Sequence, residues 1–189
     1  MIVNFLSFSL SKTFIFLALF FLSSDAFSQL IPISLEQRID NANIIFEGKV
    51  ISKTSFWNEP NTQIYTSNIV SVYKIFKGNL TATQVEIITQ GGIVGKDMEE
   101  VSHSLQLNIG DIGIFTAIPN PVKFPQKSNL LRFKAYAGLQ GFIKYNLNRG
   151  TASDPFTSYK SITAEVYPAI TRRTKVKYSI IKKTDFKIN

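Results

Sequence analysis

The run Tyr65-Thr66-Ser67-Asn68-Ile69-Val70-Ser71-Val72-Tyr73-Lys74-Ile75-Phe76, then Lys77-Gly78-Asn79, then Val85-Glu86-Ile87-Ile88-Thr89, decides the fold. The first segment is rich in β-branched and aromatic residues, as strands are. The last alternates Val85, Ile87 and Thr89 with Glu86 and Ile88. Gly78 and Asn79 between them tolerate the positive φ of a turn. Two paired strands are expected. The phase of the first one slips: Val70 and Val72 point one way, Tyr73 and then Ile75 the other, as a one-residue bulge produces. Gly91-Gly92-Ile93-Val94-Gly95 follows. No Lys-Ser/Thr pair follows the last glycine and the G-x-G-x-x-G spacing is absent, so this loop reads as a tight turn and not as a phosphate cradle. A lone hairpin is not stable in water, so the rest of the chain must close round it.

Upstream, residues 44–53 read as another strand. Ile44, Phe46, Gly48 and Val50 form the inward set, while Ile45, Glu47, Lys49 and Ile51 form a mixed, partly wet face. Gly48 marks a bulge or a sharp coil of that strand. Before it, Ser34 and Gln37 make a capping box opening a short helix to about Asn43, with Leu35, Ile39 and Ala42 on one stripe. Residues 54–63 are expected to be a polar loop carrying Pro60 and Trp57, the single tryptophan.

Downstream, residues 96–104 gather Asp97, Glu99, Glu100 and His103, the only histidine. Glu100 and His103 have E-x-x-H spacing, but a zinc site needs three or four ligands and no second His exists. A hydrated loop is the expected state. Leu105, Leu107 and Ile109 alternate as a short strand, Gly110–Gly113 turns, and residues 112–117 form a further strand. Three prolines keep residues 119–128 out of any central strand. Residues 130–137 and 139–145 are expected to form a last hairpin around Gly138 and Gly141, followed by a polar loop over 146–157. Ser161 caps a short helix over 162–167, which Pro168 breaks or restarts at its N1 position. From Arg172 the chain turns basic, with seven Lys and Arg against Asp185 alone. Val176, Tyr178 and Ile180 alternate there, which fits an extra strand, a linker or an anion-binding arm.

At the front, the apolar run Thr13-Phe14-Ile15-Phe16-Leu17-Ala18-Leu19-Phe20-Phe21-Leu22 follows Lys12 and precedes Ala26-Phe27-Ser28. That is the pattern of a secretory signal peptide over residues 1–28. The run is shorter than the roughly 20 residues of a membrane span. The expected division is a leader over 1–28, a β domain over 29–150, and a helix with a basic tail over 151–189. The net charge is +8 and there is no cysteine. Disulfides, thiolate catalysis and Cys-ligated zinc are therefore excluded, and stability must come from the apolar core. The composition, 44% hydrophobic, allows one.

Several stretches resemble a known family. Ala42-Asn43-Ile44-Ile45-Phe46-Glu47-Gly48-Lys49-Val50 is similar to the opening strand of bacterial secreted netrin-like, TIMP-like modules of the OB-fold class. So is Val72-Tyr73-Lys74-Ile75-Phe76-Lys77-Gly78. The pattern continues through residues 88–95 and 107–115, so the resemblance spans residues 34–118. It implies a mainly β chain: a five-stranded, partly open Greek-key barrel with one or two short flanking helices. Such modules stand at the front of Bacteroidota proteins exported by the type IX system. No sorting domain is recognised after Ile118, so the chain either lacks one or is the front module of a longer protein. TIMP-type inhibitors chelate zinc through an N-terminal Cys; here cleavage would leave Gln29 first, and that mechanism does not carry over.

The expected function is therefore a secreted, periplasmic or surface binding module without a cofactor, its partner an extracellular protein or an acidic glycan. The compartment argues against nucleic acid. The candidate binding residues are Trp57, Tyr65 and Tyr73 as stacking surfaces, with Lys96 and His103 from the acidic loop. A hydrolase would need a Ser with His103 and an acid, or two facing carboxylates, and has no G-x-S-x-G motif to support it.

Overall fold

Ser34 opens the first helix, α1 (Leu35–Asn41). Both halves of the capping box form: the Ser34 hydroxyl accepts from the Gln37 N–H, and the Gln37 side chain accepts from the Ser34 N–H. The computed structural model describes residues 30–122 and 128–189. The expected leader, residues 1–28, and the middle of the proline-rich stretch lie outside the described residues. Pro32–Asn189 form one compact unit.

After α1, β1 (Ile44–Trp57) and β2 (Ile64–Lys77) pair antiparallel along their whole length. The expected loop over 54–63 is therefore shorter. Residues 54–57 are strand, and only 58–63 turn, closed by Asn58, whose side-chain oxygen accepts from the Thr62 and Gln63 N–H groups at 2.9 Å each. The register shifts three times, between Ile45 and Phe46, Glu47 and Gly48, and Val50 and Ser52. Phe76 and Tyr73 are the extra residues on β2 and Ile51 on β1, so the slip expected in β2 is real, and it is doubled. The bulge at Tyr73 returns Ile75 to the same side as Val70 and Val72, not to the side expected.

β3 (Gln84–Gln90) pairs antiparallel with β2. A small hairpin follows, β4 (Gly92–Val94) with β5 (Asp97–Glu99), exposed for most of its length. Residues 105–109 are not the strand their alternation suggested. Leu105 and Leu107 plug the inner core, Ile109 is exposed, and the backbone between is held by the Lys53 ammonium on the Leu107 carbonyl and by the Asp111 carboxylate on the Asn108 N–H. Alternating burial needs an extended chain, not a ladder partner.

β6 (Ile112–Pro119) pairs with β1 on one edge. On its other edge lie both β7 (Arg132–Ala135) and β8 (Phe142–Asn146). These two are not the expected hairpin. Ala135 pairs with Ala117 and Phe142 with Phe115, so along β6 they act as one strand interrupted by a 3-10 turn over Gly138–Gly141. β7 also runs parallel to β3 through Glu86 with Arg132 and Ile87 with Phe133. This closes the ring β1-β2-β3-β7-β6-β1, an OB-like arrangement of five strands. The seam is only these two residue pairs wide, braced by Arg132 Nε on Glu86 Oε2 at 2.6 Å, so the ring is not a clean barrel. β9 (Thr151–Ser153) and β10 (Ser158–Tyr159) extend the sheet from β8, the first inside what read as a polar loop over 146–157 and the second just after it.

Two cores result. The inner one fills the ring with Phe46, Val70, Val72, Val85, Ile87 and Phe115, the Phe46 and Phe115 rings stacked at 5.1 Å. The outer one lies on the other face of β1, β2, β6 and β8. There a π-turn over Ile162–Val166 runs into α2 (Tyr167–Thr174), with Pro168 in its first turn, and α2 and α1 cover Ile45, Phe76, Ile114 and Ile143. The face of β1 expected to be partly wet is thus dry around Ile45 and Glu47, both completely buried. Each fully buried Ile or Phe contributes about 1.5–3 kcal/mol, so the cover is a large part of the stability. Arg38 of α1 reaches Asp154 at 2.5 Å with both side chains buried, and donates to the Gln140 carbonyl, tying the helix to the sheet extension. The C-terminal segment passes along β2: β11 (Ser179–Ile180) pairs with Ile75 and Lys74, on the edge that β3 leaves at Ser71.

Candidate functional site

The five residues singled out in the sequence fall in four places. Tyr65 and His103 line one cleft of about 420 Å³. Trp57 ends β1 opposite Ile64, half-buried. Lys96 is exposed at the turn between β4 and β5. Tyr73 is buried under the C-terminal segment, edge-on to Phe186 at 5.2 Å, with its hydroxyl donating to Asp185 Oδ1 at 2.7 Å. Burial, and then the Asp185 carboxylate, push that phenol up to about 12. Its ring has no free face to offer a ligand.

The cleft holding Tyr65 and His103 exists because the ring splits. β3 and β7 run together at Glu86–Arg132 and Ile87–Phe133, and their pairing ends there. The chain past Ile87 and the chain past Phe133 form its two sides. Ile88, Leu105 and Ile118 supply apolar surface, while Gln90, His103, Asn120 and Lys134 bring polar groups. Among the described residues no Asp or Glu lines it.

A second concave surface lies at the far end of α2. A groove of about 600 Å³ is lined by Arg172, Lys175 and Lys177 together with the rings of Tyr167 and Tyr178. The local structure follows from the sequence. Arg172 and Arg173 occupy the last turn of α2, where cations meet the negative end of the helix dipole. Lys175 takes the left-handed conformation that stops the helix, at φ +59°. The chain then reverses so that Lys177 and Tyr178 face the helix they have just left. Arg173 is engaged with Asp40. Arg172, Lys175 and Lys177 have no carboxylate partner among the described residues.

Beneath this groove is a buried polar cluster. Glu47 on β1 is wholly buried and accepts from Lys74 Nζ at 2.6 Å, from the Tyr145 hydroxyl at 3.1 Å, and from the Tyr167 hydroxyl through a short bond. Lys74 also donates to the Tyr167 hydroxyl at 3.0 Å and lies 5.1 Å and 5.7 Å from the Tyr167 and Tyr178 ring centres. Burial and then the Glu47 charge raise both the Tyr145 and the Tyr167 phenols. With its charge met by an ammonium and two hydroxyls, Glu47 is satisfied, as a buried carboxylate must be. The cluster holds the groove's aromatic floor onto the sheet; it has no substrate access of its own.

Chemically, then, the groove presents fixed positive charge over aromatic faces, and the cleft presents hydrogen-bond donors over an apolar wall. Among the described residues no three His, Asp or Glu side chains stand close enough to hold a metal ion, and no helix is long and apolar enough to cross a membrane. The basic run from Arg172 was visible in the sequence, but the pairing of its cations with Tyr167 was not, because Tyr167 read only as the end of a short helix. Asn120 and Lys134 carried no signal. The sequence matches no protein-family model and no curated protein.

Proposed function

We propose that this chain is an exported, non-catalytic binding module of the netrin-like OB type, and that its ligand is an acidic glycan or another polyanion of the cell surface. The observation that carries this is the groove of Arg172, Lys175 and Lys177 over Tyr167 and Tyr178, three cations without an acid partner among the described residues, beside aromatic surface. A sulfated or uronic-acid chain suits it. Its charges meet the cations, and its sugar faces pack on the rings in the manner of a single strand on an OB-fold surface. The net charge of +8 draws such a chain in over a distance of about a Debye length, some 8–10 Å at physiological salt. The leader-like residues 1–28 and the absence of cysteine suit a secreted, periplasmic or surface location with no disulfide in the fold.

The test is binding of the protein to immobilised heparin, alginate and neutral dextran. Retention on both acidic polymers that is lost in moderate salt, with none on dextran, supports the proposal. Equal behaviour on all three contradicts it.

A further inference from the structure

The split in the ring carries an inference that the C-terminal groove does not. Asn120 follows directly on β6 and lines the cleft. Its Nδ2 is buried and has no hydrogen-bond partner among the described residues, while its Oδ1 accepts from the Val122 N–H. An unmet buried donor costs a protein about 1–3 kcal/mol and is uncommon. Lys134 lines the same cleft from β7, and no carboxylate pairs with it among the described residues. His103 adds a ring N–H from the opposite rim, on a backbone held at φ +62°. Its carbonyl oxygen would lie 3.2 Å from a Cβ at Gly138, so the two rims approach closely there. Between these groups the wall is apolar: Ile88, Leu105 and Ile118. Donors of both kinds are present, neutral and cationic, and acids are absent among the described residues.

We propose that this cleft binds a carboxylate attached to an apolar body. The carboxylate accepts from Asn120 Nδ2 and pairs with the Lys134 ammonium; the apolar part lies along Ile88 and Ile118. The volume of about 420 Å³ falls within the range of small-ligand pockets. The chemistry is that of a peptide C-terminus with an apolar last residue, or of a free aryl or acyl carboxylic acid.

The experiment is titration of the full chain with three probes, N-acetyl-Val-Leu bearing a free C-terminus, its C-terminal amide, and 4-phenylbutyrate, followed by the NMR signal of the Asn120 side-chain amide. Saturable binding of the free peptide, with the amide about tenfold weaker or more, supports the proposal. Phenylbutyrate binding as well as the peptide identifies the source as any apolar carboxylate; phenylbutyrate failing while the peptide binds identifies it as a chain terminus. Lys134→Met should weaken the bound probe about tenfold, Lys134→Arg should retain it, and Asn120→Asp should abolish it by setting like charges together. Lys134 is exposed, so its variants report on binding even if Asn120→Asp destabilises the fold. Absence of saturation by either carboxylate at 10 mM, roughly the weak limit for a specific small ligand, overturns the proposal, as does equal binding of free peptide and amide. Polyanion binding by the C-terminal groove is unaffected by either result.

Discussion

Glu47 sits under α2 with its charge out of reach of water, and its neighbours determine what happens when one is removed. Lys74→Met leaves the carboxylate with two hydroxyl donors and no counter-charge. Losing one partner of a buried ion pair typically costs about 3–5 kcal/mol. Urea unfolding of Lys74→Met should show a loss of that order, and the double variant Glu47→Gln, Lys74→Met should lose less than the sum of the two single changes. The tyrosines give the same cluster a pH signature. The folded Tyr145 and Tyr167 phenols are raised above the ordinary value of 10.0, while the unfolded ones are not. Their contribution is therefore complete below pH 10 and is lost as pH rises beyond it, because only the unfolded chain ionises there. Stability measured from pH 8 upward should fall steeply past pH 10, with tyrosinate absorbance appearing together with unfolding. Asp185 works in the other direction. Lys49 and then Tyr73 hold its carboxyl below 3.8, so its hold on the tail is complete above that value and is lost on acidification. Amide exchange at Ile181, whose N–H donates to the Tyr73 carbonyl at 2.8 Å, should quicken relative to β1 as pH drops below about 4.

At the level of elements, a tight demand lies where β6 passes between β1 and β8. A Cβ on Gly113 would lie 2.1 Å from the Ile143 carbonyl oxygen, a backbone atom that cannot swing aside. Gly113→Ala should cost about 3 kcal/mol, the upper end of overpacking. Gly95→Ala, at φ +62° with open space around it, should cost about 1 kcal/mol. Thermal melts of the two distinguish crowding from conformation. Elements also mark the limits of what the sequence alone discloses. The capping box at Ser34, the bulged long strand and the turn at Gly78 are local signals, and each was legible. The interruption that splits the strand beside β6 into β7 and β8 was not, because two apolar runs around glycine look the same whether they pair with each other or with β6. Residues 105–109 misled for a related reason: their alternation records burial, and burial came without a ladder. Ile45 and Glu47 looked half-wet because what covers them, Tyr167 and Ile170, lies more than a hundred residues away.

The unit Pro32–Asn189 is a ring with a lid. The chain after residue 150 supplies β9, β10, α2 and β11, and with them half of the outer core. Truncation after Lys160 should therefore leave Ile45, Phe76, Ile114 and Ile143 exposed, giving a protein that binds hydrophobic dyes and aggregates. The same segment carries the cations, so lid and proposed ligand surface are one element. That coupling is why the composition could announce charge but not its arrangement: the tail's basic residues read equally as a linker until Tyr178 is folded back onto Tyr167. The most direct measurement of the central claim is the salt dependence of affinity for an acidic polysaccharide, compared between the natural chain, the variant Arg172→Gln, Lys175→Gln, Lys177→Gln, and the variant Lys182→Gln, Lys183→Gln, Lys187→Gln. The groove variant should lose affinity and flatten the slope of log K against log salt by about 3, while the tail variant keeps most of both. Equal slopes in all three proteins, or equal losses in the two variants, would contradict a built site at the end of α2.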